Sequence, residues 1–401
     1  MEHCMVWLWF ADTFGRGTRR SHEVLERFGS PQALLNCPAE ELVAGGLTRE
    51  ELELVRRRDF ETAFRQLEDA RREGCRLLTP EDAEYPQRLH NIYAKPSVLF
   101  LRGSLAGLDD RIAIGVVGAR QVDEYGLKAT LLICEELARQ GAVIVSGMAV
   151  GTDLAAHRAA IKAEGATIGV LGCGIEQDYP KGSRPVKEIA QENGAVLTEY
   201  PVGEPGRKMN FPNRNRIISG LCNGVLVVRA DEYSGSLITA EHALNQNRDV
   251  FAVPGRIDEA LSRGTNRLLK QGAKPVTCAE DILSEYRYVE EFRANILRQD
   301  SPGEARLKEP RPSRSRRTAA EQVEIRAAAA PAAEPRPEDS LPDYLTAEQR
   351  AILVLLGTQP LHADALAAGA GLSTAAVLST LTELELYGLV ENRGPGGYCL
   401  P

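Results

Sequence analysis

No apolar run in the 401-residue chain approaches the ~18 residues that a membrane span requires. The short stretch Met5 to Ala11 lacks a basic leader, so neither an anchor nor a secretory signal is expected, and a cytoplasmic location follows. The eight cysteines stand more than twenty residues apart, without a CxxC pair or an HxxxH partner, which excludes a disulfide scaffold and a zinc cluster. No metal is expected. The Gly-Lys-Ser/Thr step of a P-loop and the G-x-G-x-x-G dinucleotide fingerprint are both missing, so neither ATP nor NAD is expected as a cofactor. A G-x-S-x-G elbow is missing too, which argues against an α/β-hydrolase. An excess of positive charge is also lacking: 48 basic residues face 56 acidic ones, a net charge of −8. Any affinity for nucleic acid must therefore come from a local patch.

What is present divides the chain. Ahead of residue 80, Leu, Glu and Arg recur at helical spacing, as in Ser21 to Phe28 and Thr48 to Phe64, broken by glycines. This predicts a small helical domain over 1–80. Its Phe14-Gly15-Arg16-Gly17-Thr18 turn resembles that of helix-hairpin-helix and sterile-alpha-motif-like modules, whose backbone N–H groups can meet a phosphate; a packing or protein-contact role is the alternative. Between Arg298 and Leu341 Pro, Ala, Arg and Glu dominate, too little apolar surface to order a fold, so 291–344 reads as a linker. Its Arg306 to Arg317 cluster is either a tether for phosphates or a solubilising run.

From Arg111 onward short β-rich runs alternate with helical segments: Ile112 to Val117, Ala142 to Val145, Thr167 to Leu171, Ala195 to Glu199, Gly224 to Val228, Asp249 to Val253 and Lys274 to Thr277. Alternation of this kind means βαβ units. The runs are mostly apolar instead of alternating, so both faces of the sheet are expected to be covered. The fold class over 81–290 is α/β, a Rossmann-like, doubly wound, mostly parallel sheet with ligands at the carboxyl ends of its strands.

Three of those strand ends open into glycine loops: Gly118-Ala119-Arg120, Ser146-Gly147 through Asp153, and Gly172-Cys173-Gly174. Each offers backbone N–H groups at a helix N-terminus, a natural anion seat, although glycines also make plain tight turns. Cations follow. Tyr179-Pro180-Lys181 comes after the third strand, and Arg207 to Arg216 after the fourth. Pro212 is placed to open a helix, which puts Arg214, Asn215 and Arg216 in its first turns. Arginine there opposes the helix dipole, so the pair calls for an anionic partner, either ligand or carboxylate. Phe211 beside them either stacks on a base or plugs the core. Tyr233-Ser234-Gly235-Ser236 is a further turn into a helix, with Ser236 as a cap, and Gly264-Thr265-Asn266 is read as opening another. Arg256, Arg263, Arg267, Lys270 and Lys274 form a locally basic stretch that a solvated helix face explains equally. His157 and His242 are read as structural, and no catalytic residue is assigned.

The ordered string Gly118-Ala119-Arg120, SGMAVGTD, GVLGCG, Tyr179-Pro180-Lys181, NFPNRNRIISGL, SGSLITA, FAVPG and GTNRLLKQGA resembles the DNA-processing protein A family, DprA or Smf, over roughly residues 80 to 290. The resemblance implies a cytoplasmic, dimeric protein that binds single-stranded DNA and loads the RecA recombinase during natural transformation, without catalysis. It implies that Gly118, Arg120, Lys181, Phe211, Asn213, Arg214, Asn215 and Arg216 line a strand-binding pocket, with Ser146, Gly147, Ser234 and Gly235 adding backbone contacts. Two other classes share parts of this pattern. A nucleotide hydrolase of related fold has a Pro-Gly-Gly phosphate turn where this chain has Tyr233-Ser234-Gly235. A transcription factor is suggested by 345–401, where three helices and two short strands make a winged-helix pattern.

The third helix of that pattern, Ser373 to Tyr387, holds no Lys or Arg and carries Glu383 and Glu385, whereas groove-reading versions place cations there. A protein-contact or fold-stabilising role is expected instead. The isolated 345–401 fragment is accordingly expected to leave duplex DNA unshifted in a gel; a retarded band would return the transcription-factor reading.

Overall fold

The computed structural model describes residues 3–287, 346–356, 361–386, 389–392 and 397–400. Six helices come first: α1 (His3–Phe14), α2 (Arg19–Phe28), α3 (Pro31–Asn36), α4 (Ala39–Ala44), α5 (Arg49–Arg57) and α6 (Glu61–Arg72). Thr48 to Phe64 is thus not one helix. Arg58 adopts a left-handed conformation at the C-terminus of α5, and a new helix starts at Glu61. The apolar stretch at the start of the chain is α1, whose Val6, Trp7, Leu8, Trp9, Phe10 and Phe14 are buried.

Then follow β1 (Arg76–Leu78), α7 (Gln87–His90), β2 (Leu99–Gly103), β3 (Ala113–Val117), α8 (Glu124–Arg139), β4 (Val143–Ser146), α9 (Thr152–Lys162), β5 (Thr167–Val170), α10 (Arg184–Glu192) and β6 (Ala195–Thr198). The chain continues through α11 (Asn210–Gly220), β7 (Gly224–Val227), α12 (Gly235–Asn245), β8 (Asp249–Ala252), α13 (Ala260–Lys270), β9 (Lys274–Pro275) and α14 (Glu280–Tyr286). The nine strands form one sheet in the order β1-β2-β6-β5-β4-β3-β7-β8-β9. From β6 to β9 all neighbours are parallel, whereas β1 and β2 add an antiparallel edge that the sequence reading does not include. Gly264 to Asn266 lie inside α13 and do not open a helix.

Strand order reverses at β3, which has β4 on one side and β7 on the other, and such a reversal opens a crevice at the carboxyl edge. Alternate strand residues point to opposite faces. Val143 and Val145 join a core with α11 and α12, whereas Ile144 joins one with α8, α9 and α14. Burial on both faces explains the unbroken apolar runs. A further cluster joins α1, α2, α5 and α6 to Phe100, Met148, Leu171, Cys173 and Val196, so the first helices share a core with the sheet and with its edge loops.

A separate unit holds α15 (Ala347–Leu355), α16 (Ala363–Ala370), α17 (Thr374–Leu386) and an antiparallel pair, β10 (Glu391–Asn392) with β11 (Tyr398–Cys399). Its core is Ile352, Leu353, Leu356, Leu366, Val377, Leu381, Leu384 and Val390. The linker read over 291–344 lies outside the described residues. Among the described residues no helix is long and apolar enough to cross a membrane.

Glu84 ties the antiparallel edge down. Its carboxylate accepts from Arg76 at 2.7 and 3.0 Å, from Ser104 Oγ at 2.9 Å and from the Leu105 N–H at 2.9 Å. The Arg76 bonds, with those from Leu105 and Ser104, lower its pKa from 4.5 to about 2. A depressed carboxylate contributes stability above its ordinary value and loses it as pH falls toward the folded value. Glu84→Gln is expected to cost about 1 to 2 kcal/mol at pH 7 and little at pH 2, a difference read from urea unfolding at the two pH values.

Candidate nucleic-acid interface

The loops after β3, β4 and β5 and the first turn of α11 meet at the carboxyl edge. The glycines of these three loops have packing neighbours. A Cβ on Gly118 would come within 2.5 Å of Thr152 Oγ1, and one on Gly172 within 2.8 Å of the Phe211 ring. A Cβ on Gly147 would enter the Arg214 guanidinium. Thr152 laces the first two loops together, its N–H and hydroxyl both donating to the Ala119 carbonyl at 3.3 and 3.2 Å.

The backbone N–H groups at this edge are largely filled from within. Asp153 accepts from the N–H groups of Gly147 and Ala149 at 3.1 and 3.4 Å. Asp178 accepts from Gly182 and Arg184 at the start of α10, and Asp123 caps α8 at Gly126. The Ser146–Gly147 seat thus holds the chain's own carboxylate, and Ser146 Oγ is buried, donating to Val116 O at 2.6 Å. Burial pushes Asp153 upward, against the charge of nearby Arg214 and the two N–H groups. At α12 the cap is a hydroxyl: Ser234, and not Ser236, is the N-cap. Asn215 Nδ2 donates to Gly235 O at 3.5 Å and brings α11 beside this turn.

The residues of α11 face opposite ways. Arg214 is buried, its Nη1 donating to Gly147 O at 2.7 Å and also to Val170 O, so it underlies the loops and does not stand on their surface. Arg216 lies two residues on, about 200° round the helix. It points away from the loops, donating to Glu199 at 2.8 and 2.6 Å and to Ala94 O at 2.9 Å. For Arg216 the anionic partner that an arginine near a helix N-terminus demands is a carboxylate of the protein itself, Glu199, whereas Arg214 is held by the Gly147 and Val170 carbonyls with the charge of Asp153 nearby.

At the surface stand Arg120, Tyr179, Lys181 and Asn213, with Phe211 half-buried among them. The Phe211 and Tyr179 rings lie 5.2 Å apart at 32°, and the Arg120 guanidinium is 5.7 Å from the Phe211 centroid. The recess they share with Gly147, Ala149, Val150, Leu171, Gly172, Cys173 and Pro180 is about 30 Å³. Tyr179, which follows Asp178 and precedes a cis proline, is the site residue that sequence reasoning leaves unassigned. Its adjacency to a cation was the available signal.

His157 is structural. The Thr167 hydroxyl donates to Ile144 O at 2.8 Å and so accepts from His157 Nδ1 at 2.7 Å, and burial lowers the imidazole to about 3. A further buried cation escaped the sequence reading: Arg229, at the end of β7, binds Asp123, Glu259 and Ser262 beneath Tyr125. Among the described residues no group of three or more His, Cys, Asp or Glu side chains gathers as a metal site.

Residues 76–287 match the family model for DNA recombination-mediator protein A, and residues 327–397 match the DprA winged helix domain. The DNA processing protein DprA of Bacillus subtilis is 42% identical over 215 residues, which are 54% of this chain and 72% of that protein. The protein of the same name from Streptococcus pneumoniae is 44% identical over 204 residues, 51% of this chain and 72% of the relative. The X-ray structure of DNA processing protein A from Streptococcus pneumoniae superposes with a TM-score of 0.60 at 33% identity, covering 69% of this chain and 97% of that one.

Because Arg214 is pinned to two carbonyls, it has no room to yield to a methyl group on Gly147. Gly147→Ala is expected to lower stability by about 1 to 3 kcal/mol, seen as a reduced Tm, whereas Gly235→Ala, with open space around it, should leave Tm within a degree or two.

Proposed function

The chain belongs to the DNA recombination-mediator protein A family, and from that premise we propose that it binds single-stranded DNA without sequence preference and acts as a mediator, not a catalyst. In this reading it protects incoming strands and loads RecA onto them during natural transformation, as a cytoplasmic homodimer. In chain order the 1–80 helices precede the 81–290 region, which carries the strand, and 291–344 links that region to the 345–401 winged helix.

The observation that carries this reading is the exposed cation beside an aromatic pair on a rigid sheet edge: Arg120 over Phe211, Phe211 against Tyr179, and Lys181 two residues beyond. Cations hold a phosphate backbone by releasing its counterions, and an aromatic face stacks any base, which gives salt-dependent binding with little sequence preference. A recess of about 30 Å³ has room for little more than a water, so the base stacks on the outer face of the pair or enters by parting the rings. Gly118 shapes the turn that presents Arg120, while Asn213, Asn215, Ser234 and Gly235 extend the contact toward α12. Ser146, Gly147 and Arg214 act from beneath by holding the loops, and Arg216 by holding α11.

Fluorescence anisotropy tests this with a labelled strand of about 20 nucleotides and its duplex across a salt series. Wild type should prefer the single strand. Arg120→Ala and Lys181→Ala should each weaken binding on all sequences alike and flatten the salt slope by about one unit, and Phe211→Ala should cost about 1 to 3 kcal/mol. Equal or absent binding to strand and duplex would overturn the reading, and release of free base from a nucleotide monophosphate would put a hydrolase in its place.

A further inference from the structure

The Phe14-Gly15-Arg16-Gly17-Thr18 turn does not offer its backbone to a phosphate; it faces α11. Gly17 has φ +61°, and a Cβ there would enter the Arg216 guanidinium. Arg16 Nη1 donates to Glu199 O at 3.3 Å while its other nitrogen binds Asp12 at 2.5 Å and Gln66 at 2.9 Å. The turn thus closes over the Arg216–Glu199 pair, whose side chains are only 5% and 2% exposed. Arg216 stands on the helix whose first two turns hold Phe211 and Arg214, and its Nη1 also donates to Asn213 O at 3.0 Å. The hydrophobic core under α1, α2, α5 and α6 runs without a break into Met148, Leu171 and Cys173, the last two of which line the Phe211 recess.

From this continuity we propose that the Gly15–Thr18 turn is a positioning clamp for the strand-binding edge. It excludes water from the Arg216–Glu199 pair, the pair fixes α11, and α11 fixes Phe211 and Arg214. Gly17 is required because any side chain at that position would displace the guanidinium. The helical region then tunes the pocket without touching the ligand, and by linkage a strand bound at Phe211 tightens the docking of α1 and α2. The inference rests on the strand-binding reading for its effect on DNA, but its effect on α11 stands alone.

Two variants of the full chain test it, Gly17→Ala and the milder Arg16→Ala, which leaves Arg216 and the turn's glycines in place. Hydrogen exchange of the free proteins should show faster exchange at the 214–218 amides of α11 in both. Affinity for a single strand carrying 2-aminopurine should fall about tenfold in Gly17→Ala and severalfold in Arg16→Ala, with less stacking quench at saturation. Arg19→Ala, an exposed change on α2 outside the turn, should move neither readout. If faster exchange is confined to α1 and α2 and affinity stays within twofold of wild type, the clamp is overturned. If Gly17→Ala does not fold, Arg16→Ala decides by the same two readouts. A wild-type chain that binds no single strand overturns the strand-binding reading, while the exchange data still decide whether the turn holds α11.

Discussion

Arg216 and Glu199 meet in a bidentate pair almost without solvent, and the carboxyl edge of the sheet is arranged around it. A buried ion pair is weak evidence for net stability, since desolvation offsets much of the attraction, yet removing one partner costs about 3 to 5 kcal/mol by stranding the other. Such a pair therefore specifies geometry more than it adds stability. With Arg216 tied to Glu199 and Ala94, and Arg214 tied to Gly147 and Val170, α11 is held on two sides by groups that tolerate no sliding. Two cations in the first turns of a helix run against its dipole, and the internal carboxylates offset that cost.

The aspartates at the neighbouring helix starts have a related consequence. A P-loop or dinucleotide fold leaves its helix N-termini open to phosphate. Here Asp123 and Asp178 occupy those positions on α8 and α10, Asp153 takes the Gly147 and Ala149 N–H groups of the loop before α9, and the first N–H of α9 donates to Ala119 O, so much of the backbone donor set that would hold a nucleotide's phosphates is already satisfied. The positive charge that remains at the surface is carried by long side chains at the rim, Arg120 and Lys181. Flexible point charges suit a continuous polyanion that presents phosphates at variable positions, whereas a fixed nest of N–H groups suits one small anion.

The strands from β3 to β8 were legible because burial on both faces leaves mostly apolar runs, and their observed limits fall within a residue or two of those the runs suggest. β1 and β2 were not, for β1 is three residues long, and an antiparallel edge strand carries no crossover helix to announce it. Gly264 was misread as a helix start because a glycine in a polar stretch looks like a turn. It is in α13 for a packing reason, since a Cβ there would meet the carbonyls of Ala230 and Asp231. In the site, the sequence showed which residue types gather but not which way they face. Arg214 and Arg216 look alike in the string NFPNRNR, and their separation depends on Glu199, Ala94 and Gly17, distant in sequence and brought together by the topology.

The same geometry bears on what kind of nucleic acid the proposed site suits. Phe211 and Tyr179 present their rings at the sheet edge, half-buried and exposed, with Gly172 and Gly206 making room beneath and beside them. A base can use such a face only if it has left its own stack, and in a duplex that costs a few kcal/mol per step, whereas in a single strand it costs little. A net charge of −8 adds nothing to compensate, because long-range attraction to a polyanion is missing and only the rim cations act, within about 10 Å at 0.1 M salt. Discrimination between strand and duplex then follows from the depth of the aromatic pair, which α11 sets, and the position of α11 is set in turn by two arginines that never reach the surface.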